Sequence, residues 1–153
     1  DVPELTNPKF VHKLKVLDRM KALYMKRRGA APTVLVGDLN VAPGEHDVWS
    51  HKQLLNVVSH TPGETTRLNA ARDLGGFVDL ARLHRPEPEK LFTWWSYRSP
   101  DWTKNNRGRR LDHIWASADL AGVSQGEAFA IHVACRSWER PSDHVPVVAG
   151  LKL

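Results

Sequence analysis

The amino-acid sequence predicts a single α/β or α+β domain in which helices and strands form a layered sandwich. A helical pattern near the N-terminus is followed by short apolar runs of strand length, and turn-forming residues separate these runs. The 153 residues are 41% hydrophobic and 25% charged, and no repeat or internal domain boundary divides them. This composition is typical of one globular domain with its own core.

The first predicted elements are a helix and a buried strand. Asn7 is a suitable helix cap, Pro8 suits the first helical position, and Gly29 ends the helix. The continuous apolar run at residues 33–36 is the pattern of a strand in the middle of a sheet. We therefore expect this strand to be buried.

The remaining elements alternate in a similar way. A loop with a short helix is predicted at 45–60, a helix at 65–74, either a helix or a strand at 77–83, and a loop at 85–90. The predicted strands lie at 91–95, 111–115, 129–135 and 145–151. The long loop at 96–110 is rich in arginine and carries an aromatic cluster, and long loops in compact domains are usually functional or disordered. We interpret it as functional.

Charge and cysteine content narrow the functional classes. The net charge of +5 favours an anionic partner such as nucleic acid, an acidic membrane or a phosphorylated small molecule. No apolar run approaches the ~18 residues of a membrane-spanning helix. Cys135 is the only cysteine, so no internal disulfide can form, which fits a reducing cytoplasm. The eight histidines are scattered, which argues against a zinc site.

Three short polar segments beside strand-like runs carry residues suited to catalysis. They supply Asp38 and Asn40, then Asp112, and finally Asp143 and His144. Such a set of carboxylates, carboxamide and imidazole suits metal-assisted attack of water on a phosphodiester. Side chains two apart in an extended segment share a face, so Asp38 and Asn40 are expected to face the same way. Singly, Asp38 could instead form an Asx turn, and Asp143 could be a turn residue.

Asp112 begins a predicted strand, where a charged side chain needs a partner. His144 is the natural partner, because a carboxylate would fix the tautomer of its imidazole. A salt bridge to Arg109 or Arg110 is the alternative. His113 follows Asp112 in the strand, points to the opposite face and is interpreted as structural.

Aromatic side chains flank the arginine-rich loop. If residues 91–95 form a strand, Trp94 and Trp95 face opposite ways, and only one of them can lie in the site. Aromatic rings and arginines together can stack on bases or line a sugar pocket, with ordinary packing as the alternative.

These motifs resemble those of the exonuclease III family, the bacterial apurinic/apyrimidinic endonucleases of the endonuclease/exonuclease/phosphatase superfamily. The similar segments are Gly-Asp-Leu-Asn ending at Asn40, the aromatic-Tyr-Arg run ending at Arg98, Asn-Arg-Gly-x-Arg-x-Asp ending at Asp112, and Ser-Asp-His ending at His144. The resemblance spans nearly the whole chain. It implies that residues 1–153 form a single partial domain, the C-terminal half of a four-layered α/β sandwich of the DNase I-like type.

The resemblance also implies catalytic roles. Asp38 would position and activate the attacking water, and Asn40 would stabilise the transition state on the phosphate. Asp112 would pair with His144, which would contact the scissile phosphate. Asp143, with Asp38 and Asn40, would help to hold a divalent metal, Mg²⁺ or Mn²⁺.

Further residues are implied in DNA binding. Trp94, Arg109 and Leu111 correspond to positions near the family's pocket for an extrahelical abasic sugar. Arg109 departs from the aromatic residue that some relatives carry there. Arg98 and Arg107 are candidates for contact with the DNA backbone. The expected partner is duplex DNA with abasic sites or 3′ ends.

The first half of the family fold has no counterpart in this sequence. It would supply a strand-end Asn, the main metal-ligating Glu and a phosphate-contacting Tyr, and Glu4 and Tyr24 stand in the wrong context to replace them. We therefore expect the chain alone to bind metal weakly and to be inactive unless the missing N-terminal half completes it.

The resemblance implies metal-dependent hydrolysis of DNA phosphodiesters in base excision repair, with abasic-site incision and 3′→5′ exonuclease action. One alternative keeps the chemistry but changes the substrate to a phospholipid, an inositol phosphate or an RNA end. The other is a nucleic-acid-binding module without catalysis. The aromatic and basic loop favours DNA, and carboxylates that would repel phosphate without a metal argue against binding alone.

Overall fold

The structure is a computed structural model that describes residues 6–153, so Glu4 lies outside the described residues. Its helices are α1 Pro8–Arg27, α2 His51–Leu54, α3 Pro62–Leu74, α4 Leu80–His84, α5 Trp102–Asn105 and α6 Ala118–Ala121. Its strands are β1 Val34–Asp38, β2 Phe77–Asp79, β3 Asp112–Ser117, β4 Ser124–Ile131 and β5 Val147–Leu151. Two short 3₁₀ turns occupy Glu45–Asp47 and Val133–Ser137. This mixture of helices and sheets agrees with the predicted fold class.

The two long helices each begin at a capping residue. Asn7 accepts hydrogen bonds from the backbone amides of Lys9 and Phe10 at the start of α1, at 3.0 and 3.4 Å. Thr61 and Glu64 form a reciprocal capping box at the start of α3. α1 packs against α3, and both contribute to a core cluster around the fully buried Trp115. The helix predicted from Asn7 is confirmed, and the helix predicted at 65–74 is present but begins earlier, at Pro62.

Two antiparallel sheets carry the strands. The first has the order β1-β3-β2, and the second pairs β4 with β5. In the first sheet Leu35 lies opposite Trp115, and Asp38 lies opposite Asp112. Like charges directly opposite each other in a sheet are destabilising unless other groups compensate them. The register thus gathers two acidic segments at one end of the sheet.

The expectation that the first strand is central and buried is wrong for the described residues. Within residues 6–153, β1 pairs only with β3, and the side chain of Val36 is 66% exposed. An apolar run predicts a strand, but it does not show which other strands or helices pack against that strand. One face of β1 is therefore open in this chain.

Two further strand predictions need correction. Residues 91–95 form no continuous strand, and Trp94 makes isolated bridges to Arg109 and His144 instead. The strand expected at 129–135 begins earlier, at Ser124, and ends at Ile131, because Cys135 lies in a 3₁₀ turn. The segment at 77–83, left open between helix and strand, contains both, since β2 runs directly into α4.

No helix within residues 6–153 is long and apolar enough to cross a membrane.

Candidate active site

The three polar segments meet at one end of the first sheet, where β1 ends and β3 begins. Asp38 ends β1 and Asp112 begins β3, while His144 is joined to this end through its bridge with Trp94. The His144 Nδ1 atom lies 2.8 Å from the Asp112 carboxylate, and its Nε2 atom lies 3.9 Å from the Asp38 carboxylate. The imidazole therefore stands between the two carboxylates. The expected Asp112–His144 contact is present, although its catalytic role stays a prediction.

Thr93 fixes the Asp112 carboxylate. Its hydroxyl donates to Asp112 Oδ2 at 2.6 Å and accepts the backbone amides of Leu111 and Asp112 at 3.0 and 3.1 Å. The Thr93 side chain is completely buried, so water does not compete for these bonds. Thr93 was missed in the sequence, where a single hydroxyl inside an apolar run was the only signal.

Asn40 does not continue the extended strand, which corrects the expectation that it faces the same way as Asp38 by strand alternation. Its φ angle is +55°, in the left-handed region that asparagine tolerates better than most residues. Its backbone amide donates to Asp38 Oδ1 at 2.8 Å, so the Asx turn that had been left open is formed. That bond engages one oxygen of Asp38, while the other faces His144.

Asp143 is held by a tryptophan. The indole Nε1 of Trp94 donates to Asp143 Oδ2 at 3.0 Å, and the backbone amide of Trp95 donates to the Asp143 carbonyl at 3.0 Å. Ser142 accepts the backbone amide of His144 at 3.1 Å and so stabilises the turn. Trp94 contacts the site while Trp95 is only 3% exposed, as expected for two tryptophans of which one alone reaches the site.

The candidate DNA-binding residues lie on two surfaces beside these groups. The guanidinium of Arg109 lies 5.4 Å from the centre of the Trp94 ring and donates to the Val58 carbonyl at 2.9 Å. Leu111 is 4% exposed and packs beneath this surface. Arg98 and Arg107 line a separate cavity of about 390 Å³. The structure does not bring all five residues into one pocket.

A buried ionic network supports the site from below. Arg110, 1% exposed, donates to Asp47 at 2.6 and 2.9 Å and to Asp79 at 3.0 Å. Burial raises the pKa of Asp47, but Arg110 and Arg82 outweigh burial, so the pKa lies below its usual value. Since Arg110 is engaged here and Arg109 bonds to Val58, neither forms the alternative salt bridge to Asp112.

His113 belongs to the same network and is structural, as its strand position predicts. Its Nε2–H donates to the Val41 carbonyl at 2.8 Å, and its Nδ1 accepts from Arg110 at 3.3 Å. Burial, together with the Arg110 charge, lowers the pKa of His113 to about 4. The ring is therefore neutral near pH 7, with its proton on Nε2.

The donor groups at the site fit a divalent metal only in part. Carboxylate and carboxamide oxygens such as those of Asp38, Asn40 and Asp143 suit a hard cation. Within residues 6–153, however, no three histidine, cysteine or acidic side chains come together as a metal-binding group. The described residues supply part of a ligand set.

One end of an antiparallel sheet with paired carboxylates, an imidazole and flanking arginines is the type of site expected for phosphate-ester hydrolysis. Residues 11–144 match the Endonuclease/Exonuclease/phosphatase family, and this chain belongs to that family. The predicted resemblance is therefore confirmed.

Relatives extend this assignment. The chain is 32% identical over 127 residues to exodeoxyribonuclease III of Haemophilus influenzae, covering 79% of this chain and 46% of that protein. It is 32% identical over 116 residues to an exodeoxyribonuclease of Bacillus subtilis, covering 76% and 43% respectively. The chain thus spans about half the length of these curated relatives.

Solved structures agree with the fold. An AP endonuclease from Archaeoglobus fulgidus is similar with a TM-score of 0.90 and 30% identity, over 100% of this chain and 60% of that one. A 3′ phosphatase from Neisseria, bound to a product DNA hairpin, is similar with a TM-score of 0.85 and 29% identity, over 97% and 56%. The predicted DNase I-like fold is confirmed.

Proposed function

We propose that this chain forms the water-activating and phosphate-holding side of a nuclease that hydrolyses DNA phosphodiesters at abasic sites and 3′ ends, in base excision repair. The observation that carries the proposal is the row Asp38–His144–Asp112, in which Thr93 fixes the last carboxylate. Relatives named for exodeoxyribonuclease and AP endonuclease activity support DNA as the substrate. Arg98, Arg107 and Arg109 offer cationic contacts for its backbone.

Each side chain has a role that follows from its contacts. Asp112 accepts the Nδ1–H of His144, which leaves the Nε2 side of the ring to face Asp38 and to donate to a phosphate oxygen when protonated. Asp38 has one oxygen engaged by the Asn40 amide, and the other, which faces His144, would accept a proton from water. The Asn40 carboxamide donates to the charge that develops on the phosphate.

We propose that activity depends on Mg²⁺ or Mn²⁺, which would act as a Lewis acid on the phosphate. Asp143, Asp38 and Asn40 would hold part of its coordination sphere, and the remaining ligands would come from outside residues 6–153. The described ligand set is incomplete, and the roles proposed for the side chains do not depend on the position of the ion.

We further propose that residues 1–153 act as a single partial domain and need the N-terminal half of the same fold for activity. The open face at Val36, the partial ligand set and the half-length match to relatives support this. A cytoplasmic location is part of the same proposal and rests on the single cysteine.

The test compares incision of an abasic duplex, digestion of a 3′-ended duplex, and hydrolysis of phospholipid and inositol phosphate substrates. We expect the protein that carries this chain to cut DNA with Mg²⁺ and to stop in EDTA, and the isolated 153-residue chain to be inactive. Asp38→Asn should abolish incision but not DNA binding, whereas Asp119→Asn, an exposed residue of α6, should change neither.

Three results would count against the proposal. Activity on lipid or inositol substrates with none on DNA would reassign the substrate. DNA binding without any EDTA-sensitive cleavage would leave a binding module. Strong Mg²⁺-dependent incision by the isolated chain would refute the need for a second half.

A further inference from the structure

Lys13 reaches from α1 to the loop that carries Asn40. Its Nζ atom donates to the backbone carbonyl of Asn40 at 2.7 Å, across 27 residues of sequence. The same ammonium lies 2.6 Å from a carboxylate oxygen of Glu64, near the start of α3. The lysine side chain is 22% exposed and the glutamate side chain is 0% exposed. Lys13 thus connects the buried Glu64 carboxylate to the loop that carries Asn40.

Glu64 is a rigid anchor for this lysine. Its carboxylate accepts the backbone amide of Ser59 at 2.9 and 3.1 Å, and both the amide and the hydroxyl of Thr61, at 3.2 and 2.8 Å. A buried carboxylate is stable only when it is paired and hydrogen-bonded, and here every partner is a fixed group of the fold. The position of the Lys13 ammonium is set as a result.

These contacts restrain the loop after β1 at two positions, Asn40 and Ala42. The Asn40 amide is held by Asp38 and the Asn40 carbonyl by Lys13, so the left-handed conformation at this residue is fixed from both sides. Two residues further, the amide of Ala42 donates to the carbonyl of Ser59, the residue whose own amide Glu64 holds. Left-handed backbone at a residue other than glycine persists when its surroundings hold it.

We infer that Lys13 and Glu64 form a positioning pair that holds the Asn40 backbone so that its carboxamide is presented beside Asp38. The inference rests on the proposed role of Asn40. The Lys13 ammonium contacts the backbone carbonyl of Asn40 and the Glu64 carboxylate, so we assign it a role that acts through the loop and not a catalytic one.

The variants are made in the protein that carries this chain and has the proposed DNA-cleaving activity. Lys13→Met should lower kcat at least about tenfold, because small misplacements of a group that binds the transition state are costly, with KM for DNA changed by less than about twofold. Lys13→Arg, which keeps the charge and its donors, should recover part of kcat. Arg67→Met is the matched control, since Arg67 pairs with Asp18 across the same two helices at 3.2 Å.

A second variant separates positioning from folding. Lys13→Met leaves Glu64 buried without its cation, whereas the double variant Lys13→Met/Glu64→Gln removes both charges together. We expect the double variant to recover thermal stability but to remain slow. Recovery of wild-type kcat together with stability would overturn the inference, as would an equal loss of kcat in Arg67→Met.

A readout without catalysis keeps this inference distinct from the proposed function. In ¹⁵N spectra, Lys13→Met should shift the Asn40 amide resonance and speed its hydrogen exchange, while Arg67→Met leaves both unchanged. An unaltered Asn40 amide in Lys13→Met overturns the positioning pair even if the protein cuts no DNA. Absence of DNA cleavage in the wild type, with the Asn40 amide altered as expected, refutes only the proposed function.

Discussion

Replacing Thr93 by valine removes a hydroxyl from the centre of the site while keeping the shape of the side chain. The hydroxyl makes three bonds, one to the Asp112 carboxylate and two to the backbone amides of Leu111 and Asp112. In the valine variant Asp112 loses the donor that fixes it, and it is then free to rotate away from His144. Hydrolysis should slow because His144 is no longer held in one orientation.

The magnitude follows from the bonds that are lost. A hydrogen bond to a charged group contributes about 1.5–3 kcal/mol, which corresponds to a fall in kcat of about tenfold to about a hundredfold. The buried Leu111 amide loses its acceptor at about 1–3 kcal/mol, and the part-buried Asp112 amide loses its acceptor at a smaller cost, so the free energy of unfolding should also fall. The proposed incision activity is measured in the protein that carries this chain together with the rest of the fold, well below the melting temperature of the variant, and unfolding is followed in urea.

Thr93→Ser is the matched control, because it keeps the hydroxyl and loses only a methyl group. It should retain most of kcat while losing about 1 kcal/mol of stability. The proposed role of Thr93 is refuted if Thr93→Val, shown to be folded, has the same rate as the wild type in the incision assay, or if the serine variant is as slow as the valine variant.

Two further predictions concern the network under the site. Because burial lowers the pKa of His113 to about 4, the unfolded chain, with a histidine pKa near 6.5, binds this proton more readily. The part of the free energy of unfolding that depends on His113 protonation, about 3 kcal/mol, is therefore complete above about pH 6.5 and is lost as the pH falls towards 4. His113→Gln should flatten the dependence of the free energy of unfolding in urea on pH over this range. Arg110→Met should cost about 3–5 kcal/mol, because Asp79 stays buried without its cation and Asp47 keeps only Arg82.

Each of these has a result that would contradict it. An identical pH profile for His113→Gln and the wild type would mean that His113 does not resist protonation in the folded chain. A loss below about 1 kcal/mol for Arg110→Met would mean that the two carboxylates find water or other partners. Asp73→Asn serves as the control for both, since Asp73 has an exposed side chain in an exposed ion pair.

Local rules predicted the elements that local interactions decide. The start of α1 follows from Asn7 and Pro8, and the end of α3 follows from Gly75, whose amide donates to the Ala71 carbonyl. Strand positions were less secure where pairing decides the outcome. Residues 91–95 read as a strand because they are apolar and aromatic, but their backbone amides and carbonyls are shared among three separate segments.

The candidate site was predicted only in part, because some of its contacts join residues that are distant in the sequence. Asp38, Asp112 and His144 stand in short motifs that resemble those of the family to which the chain belongs, and their catalytic roles stay predictions. Thr93 and Lys13 carry no motif, and their importance arises from contacts with residues 19 and 27 positions away. The conformation of Asn40 also escaped strand alternation, since it depends on a turn that two partners hold.

The sequence by itself determined the fold class, the family and the identity of the polar groups, because residue types, caps and apolar periods are written in short segments. Only the tertiary structure decided which of those groups touch. The antiparallel register of β1 and β3 sets Asp38 opposite Asp112, the buried Thr93 hydroxyl bonds to Asp112, and the Asn40 amide bonds to Asp38. The physical reason is that hydrogen bonds and charge pairs between distant segments exist only once the chain has brought those segments together.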